Sequence, residues 1–230
     1  MSQAPVTPPF TPALFSFPPQ AKVGRVVAKN KIYERGSVGS TLREKFVAQV
    51  EQITWQYKLA PETINLPTRG GVVEIQIFDI ALKTAELDED VLRAIDRAIP
   101  LPIIFQLHHE RCTRMVATFK RPSEADPSKW VIEGYFSGAW LAANTERQVL
   151  PVALDLYGLY EQLLRSLLPN PARLGESLSE QLKRLTRLRS LQGEQRKLEA
   201  RLRKEIQFNR KVELNAQLRE LNTQIDQLSA

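Results

Sequence analysis

Two polar residues stand inside the most strand-like run of the chain. The segment VVEIQIFDIAL, residues 72–82, carries Glu74 and Gln76. Side chains alternate across a strand, so residues two apart share one face. A carboxylate placed this way can hold a divalent metal that activates water, provided further carboxylates converge on it. Glu62, read on a preceding strand (ETINL), and Glu51, read on a leading helix, are the candidates. Under that reading Glu51, Glu62, Glu74 and Gln76 form a catalytic set that uses Mg2+ or Mn2+. The competing reading ties Glu74 and Gln76 to Lys58 or to backbone amides, because buried polar groups need partners. It requires no cofactor.

Other candidate chemistry is thinner. His108, His109 and Cys112 lie close in sequence, but adjacent strand residues point to opposite faces, so the two histidines do not readily share one ion. No second ligand pair with zinc spacing exists. Cys112 has no sign of a paired base, and there is no phosphate-binding glycine loop. The only two histidines are neighbours, so no Ser-His-Asp arrangement is expected.

Charge suggests a different chemistry. The chain carries a net charge of +6, which permits acidic partners without requiring them. Lys22, Arg25, Lys29, Lys31 and Arg35 surround Tyr33, and Arg210 and Lys211 form a second basic spot. Cations beside an aromatic ring can track a phosphate backbone. The plain alternative is a solvated loop with ordinary surface lysines. One cysteine excludes an intramolecular disulfide and fits a reducing compartment. No apolar run approaches the roughly 20 residues of a membrane-spanning helix. No secretory signal is evident either, so a cytoplasmic protein without membrane contact is expected.

The elements that must position these residues can be read in order. Residues 1–20 hold six prolines and form an extended arm, with Leu14, Phe15 and Phe17 able to pin it to its own domain. Thr41-x-x-Glu44 is a capping-box pattern. Leu42, Phe46, Val50, Ile53 and Tyr57 follow at helical spacing, and Pro61 is read as the stop of that helix. The run at 72–82 is apolar on both faces, so it is expected to be central and covered on both sides. Asp88 caps the next helix. PIIFQLHH and TRMVATFK form a hairpin, Arg121–Lys129 a loop and WVIEGYF a further strand. Asp155 caps a helix through LYGLYEQLLRSLL. The expected core, residues 21–170, is an α+β domain: a compact mixed sheet with flanking helices.

From Glu176 onward the composition changes. Leu214, Leu218, Leu221, Ile225 and Leu228 repeat at 4-3-4-3, the heptad spacing of a long helical coiled-coil tail over residues 176–230. These leucines and the isoleucine are the candidate partner-binding residues. Twelve Lys and Arg face eight Asp and Glu here, so most of the excess positive charge sits in this tail. The register shifts around Ile206–Val212, where the tail is expected to fold back near Gln207–Lys211.

The runs KNKIYE, YKLAPETINLP…VEIQIFDI and QFNRKVELNAQLREL together resemble the domain-of-unknown-function 4391 family of bacterial proteins, from about Lys29 to the C-terminus. The resemblance implies a compact α/β domain with a helical tail. It carries no activity over. It also implies gene neighbours such as helicases and DNA methyltransferases in restriction-like or phage-defence clusters. The leading expectation is therefore a non-catalytic accessory subunit of a DNA-acting complex. Its tail would bind a protein partner, a helicase or DNA methyltransferase, and its basic surface would bind DNA. The runner-up is a metal-dependent nuclease, since Glu74-x-Gln76 is similar to the Glu-x-Lys half-site of the restriction-nuclease fold. Glutamine replaces the lysine, however, and no Pro-Asp precedes the strand; a degenerate relative would bind DNA without cutting it. The third alternative is a structural homo-oligomer.

Overall fold

The computed structural model describes residues 14–123 and 130–229. Pro5, Pro8, Pro9 and Pro12 of the arm lie outside the described residues, as do residues 124–129 of the expected loop. The chain divides into two compact units, Met1–Pro169 and Asn170–Ala230.

Seven strands form one sheet in the first unit: β1 (Lys22–Val26), β2 (Val50–Leu59), β3 (Ile75–Leu82), β4 (Ile103–His109), β5 (Cys112–Pro122), β6 (Trp130–Ser137) and β7 (Leu141–Ala142). Their order is β1-β2-β3-β4-β5-β6, with β7 also on β5. Among these strands, within the described residues, only β3 and β4 pair in parallel. A parallel pair needs a crossover, supplied here by α4 (Glu89–Ala98). The other helices of this unit are α1 (Lys29–Arg35), α2 (Ser40–Gln49), α3 (Pro61–Ile64) and α5 (Leu156–Arg165). The sheet is mixed and helices flank it, as the sequence predicts.

β3 is central and largely buried. On one face Phe78, Ile80 and Leu82 join Phe105 and Val116, and α1, α2 and α4 cover them through Ile32, Phe46, Leu92 and Ile95. Burying one such side chain contributes about 1.5–3 kcal/mol. On the other face the end of the arm is pinned. Leu14, Phe15 and Phe17 are buried, Phe15 bridges to Gln148, and the Phe17 ring lies 5.0 Å from that of Tyr57. Tyr160 of α5 stacks on Phe119 and its hydroxyl donates to the Thr118 carbonyl.

Several local expectations need correction. The leading helix ends at Gln49, and the residues from Val50 to Leu59 are a strand. Glu51 is therefore on β2, not on a helix. Gly39 occupies the N-cap of α2 without a side-chain cap, so the Thr41–Glu44 capping box does not form. PETI is the short helix α3 rather than a strand, so Glu62 is helical. Pro61 starts this helix instead of stopping one, because its fixed φ suits the first helical position. Thr63 Oγ1 accepts from Ala60 N at 2.9 Å and donates to the Lys58 carbonyl at 2.8 Å. The central strand begins at Ile75, which leaves Val72, Val73 and Glu74 in the approach to it. Asp88 and Asp155 cap α4 and α5 as expected.

The second unit is a pair of helices, α6 (Leu178–Lys204) and α7 (Phe208–Ser229). They run antiparallel: Gln195 bonds Asn222, while Arg184, earlier in α6, reaches the carbonyl of Leu228, later in α7. The reversal falls at Glu205–Gln207. It uses neither glycine nor proline there. Instead the Glu205 carboxylate accepts from the backbone N–H of Ile206 and of Gln207, both at 2.9 Å. Those bonds lower the Glu205 pKa. Gly193 lies within α6 and does not break it. No helix among the described residues is long and apolar enough to cross a membrane.

Candidate functional site

The site is shaped by a bulge in β2. Trp55 pairs with Phe78, Tyr57 with Ile77 and Lys58 with Gln76, so β2 spends one extra residue between Trp55 and Tyr57. An extra residue shifts the alternation. Trp55 and Lys58, three apart, consequently point to the same face as Phe78 and Gln76. Arg25 of β1 pairs with Trp55 and shares that face.

Beside these side chains lies a cleft of about 320 Å³. Lys31 and Arg35, one turn apart on α1, line one wall. Trp55, Gln76 and Phe78 form the sheet side, and the Ile99–Leu101 turn after α4 closes the end. Gly36 allows α1 to end this close to α4: a Cβ there would lie 2.9 Å from the Ile32 carbonyl and 3.0 Å from that of Ala94. The Trp55 indole Nε1 is buried and has no hydrogen-bond partner.

The candidate catalytic residues divide. Gln76 donates its amide to Glu74 Oε1. Lys58 Nζ lies 3.4 Å from Glu74 Oε2 and 2.6 Å from Glu62 Oε1. Glu62 raises the Lys58 pKa, helped by Glu74, and Lys58 lowers that of Glu62. Glu62, Glu74 and Gln76 are thus brought to one cluster around Lys58. Glu51 is not: it stands next to Val50, which pairs with Leu82, whereas Lys58 is at the other end of β2. Among the described residues no group of three or more His, Cys, Asp or Glu side chains could hold a metal ion.

The basic candidates also separate by role. Lys31 and Arg35 reach the cleft, and Arg25 flanks it. Lys22 pairs with Tyr57 and belongs to the opposite face. Lys29 turns inward, with Nζ 2.5 Å from the Val50 carbonyl and 3.3 Å from that of Phe46. Burial, then the nearby Lys83, lowers its pKa. Tyr33 packs on Phe46 and carries Arg43 over its ring; burial raises the pKa of its hydroxyl. Arg210 and Lys211 are exposed at the start of α7. A groove of about 390 Å³ beside them is lined by Arg201, Lys204, Glu205, Arg210 and Glu213 with Leu214.

The heptad residues lie along α7 where it meets α6. Leu218 is buried, and Leu214, Leu221, Ile225 and Leu228 are half-buried. Leu221 shares a groove with Leu198 of α6. Large apolar side chains instead stand out at the turn: Ile206 is 90% exposed and Phe208 76%.

The histidines do not form a pair. His108 Nδ1 is 3.1 Å from Thr113 Oγ1 and its Nε2 3.5 Å from Asp79, while the His109 ring lies against Trp140. Thr113 therefore bonds His108, whose Nε2 lies near Asp79 without a hydrogen bond to it, an arrangement that the sequence reading does not contain. Thr113 is buried, so its hydroxyl cannot meet a substrate.

Residues 15–225 match the family described as domain of unknown function (DUF4391). The chain belongs to that family. No curated protein and no solved structure matches it. The DUF4391 match begins at Phe15, ahead of the expected start at Lys29. It therefore takes in the pinned end of the arm as well as the cleft and most of the hairpin.

Two sets of residues escaped the sequence reading of this DUF4391 chain. Trp55 falls inside the stretch that helical spacing gives to a helix before Pro61, and the bulge in its strand hides its orientation. The second set is a buried network beneath the end of α4. Lys120 Nζ is 2.6 Å from Asp96 Oδ1 and also bonds the carbonyls of Asp96, Ile99 and Leu101 at 2.8–2.9 Å. Tyr135 donates to the other Asp96 oxygen. Burial pushes the Asp96 pKa up and that of Lys120 down, with the pair's own attraction opposing both. The Tyr135 hydroxyl is pushed up by burial and by Asp96 beside it. This network ties the Ile99–Leu101 turn, the end wall of the cleft, to the sheet.

Proposed function

We propose that this chain is a non-catalytic accessory subunit of a bacterial DNA-acting complex, with defence against foreign DNA as its setting. The observation that carries the reading is the tip of the helical hairpin. Ile206 and Phe208 stand exposed between Arg203 and Lys204 on one side and Arg210 and Lys211 on the other. An exposed apolar pair within a basic surround fits a partner protein that offers an apolar pocket rimmed by acidic groups. The family resemblance points to a helicase or a DNA methyltransferase as that partner. The heptad residues pack within the hairpin as a short antiparallel coiled coil and hold the tip out.

The site chemistry agrees with a binding role. Glu62 and Glu74 are engaged by Lys58, and Glu74 by the Gln76 amide, an arrangement that offsets part of the charge of the carboxylates a metal would need. The basic face around Arg25, Lys31 and Arg35 is available to nucleic acid.

Tagged full-length protein purified from its native host tests the reading. A helicase or methyltransferase should co-purify with the wild-type chain and be lost from the double variant Ile206→Ser/Phe208→Ser. Both positions are exposed, so the variant should keep its melting temperature. Recovery of the wild-type protein alone overturns the reading. DNA incubated with the pure protein and Mg2+ or Mn2+ should stay intact; cleavage that disappears in Glu74→Ala would install the nuclease alternative.

A further inference from the structure

We infer that the cleft between α1, β2, β3 and the Ile99–Leu101 turn is a binding site for one nucleoside monophosphate unit. The inference deepens the nucleic-acid part of the function proposed above and rests on it only there.

Several features of the cleft point to this ligand. Its walls are mostly apolar, with Ile32, Phe78 and Ile99–Leu101 beside the Trp55 ring. A flat, weakly hydrated group such as a nucleobase suits walls of this kind. The Trp55 indole N–H is buried without a partner. A buried donor with no acceptor is uncommon and costs free energy until an acceptor arrives; a small shift of the Trp55 ring toward the cleft would expose this N–H, and a ring nitrogen or carbonyl oxygen of a base would then accept from it. Gln76 lines the cleft with its amide nitrogen committed to Glu74, which leaves its carbonyl oxygen as the atom that can accept from a base amino group. Lys31 and Arg35 are exposed on the cleft wall, and Arg25 points to the same face of the sheet. Cations in this position fit a phosphate attached to the base through its sugar. The volume of about 320 Å³ lies at the small end of ligand pockets, which run from about 300 to 1,000 Å³. It accommodates one nucleotide rather than a duplex.

The same chemistry occurs in a free mononucleotide and in one unpaired residue of a single strand. The test therefore has two arms, both using the full-length protein: titration with dAMP, dGMP, dCMP and dTMP by calorimetry, and titration with a labelled 15-nucleotide single strand by anisotropy. Binding in either arm is expected. Binding of the free nucleotides alone identifies a small-molecule ligand, and binding of the strand alone identifies nucleic acid. Lys31→Ala/Arg35→Ala, at exposed positions that leave the fold intact, should weaken binding at least tenfold. It should also flatten the salt dependence of strand binding, because each lost phosphate contact removes about 0.7 from the logarithmic slope. Trp55→Phe keeps an aromatic, though smaller, ring and removes the N–H; a loss of about threefold to tenfold is expected.

No binding in either arm, or binding that the Lys31→Ala/Arg35→Ala variant retains, overturns the inference. Partner recovery through the hairpin tip is measured separately. Its failure would overturn the accessory-subunit reading and leave the cleft measurement standing, while failure of the cleft alone would leave that reading in place.

Discussion

Lys120 and Asp96 are the residues whose removal should matter most. Both side chains are fully buried. The lysine has four acceptors around it, and an ammonium with three donors satisfies them better than a neutral amine. Removing one member of a buried ion pair strands the other charge. Lys120→Met should therefore lower stability by about 3–5 kcal/mol in urea unfolding, and Asp96→Asn by a similar amount. The double variant should cost less than the two losses added together, because neither charge is then left alone. Equality with the sum would show that the pair is not coupled. The sequence did hold a signal for this network. Val116, Thr118 and Lys120 have the same parity in β5, and Val116 belongs to the core, so alternation places the lysine inward. Asp96 likewise follows Leu92 at helical spacing. What the sequence does not hold is that β5 and α4, apart in the chain, bring the two together.

The elements show where local pattern was enough and where it was not. Capping aspartates, the β4–β5 hairpin and the central strand were legible because each depends on neighbours in sequence. β2 imitates a helix for a specific reason. The bulge between Val50 and Gln52 puts Val50 and Ile53, three apart, on one face, a spacing that continues the helical stripe of Leu42 and Phe46, whereas Tyr57, the last residue of that stripe, pairs with Ile77 and faces the other way. The strand's β-branched and aromatic composition was the better guide. The cleft follows from the bulges of β2 and from the approach of α1 to α4, so its parts were named without their assembly. Lys29 and Lys31 make the same point. They are alike in sequence, but Lys29 holds the carbonyls where α2 passes into β2, while Lys31 is exposed on the cleft wall. Lys29→Ala should cost about 1–2 kcal/mol of stability by removing those bonds. Lys31→Ala should stay within about 0.5 kcal/mol. Chemical denaturation of the two variants compares them directly, and equal costs would refute the difference in role.

At the scale of the whole molecule, charge and spectroscopic signal both divide between the units. Residues 170–230 carry thirteen Lys and Arg against eight Asp and Glu, +5 of the chain's +6. All three tryptophans, Trp55, Trp130 and Trp140, precede Pro169, so tryptophan emission reports the first unit. Far-ultraviolet circular dichroism weights the second, whose helices span 27 and 22 residues, whereas among the described residues no helix of the first exceeds 10. Glu176 joins the ends of the hairpin. Arg184 grips both its oxygens, at 2.7 and 2.8 Å, and donates to the carbonyls of Pro171 and Leu228. The arginine holds the Glu176 pKa at about 2, against an ordinary 4.5. A carboxylate with a depressed folded-state pKa contributes stability that is fully present above its unfolded pKa and lost as pH falls through the folded one. The clasp, worth about 2 kcal/mol as a charge-assisted pair, should therefore weaken from about pH 4.5 downward and be gone near pH 2. In urea titrations the midpoint followed by circular dichroism should drop more between pH 7 and pH 3 than the midpoint followed by tryptophan emission. Glu176→Gln should lower the dichroism midpoint at pH 7 and remove most of this extra acid sensitivity. Coincident midpoints at every pH would show instead that the two units unfold as one.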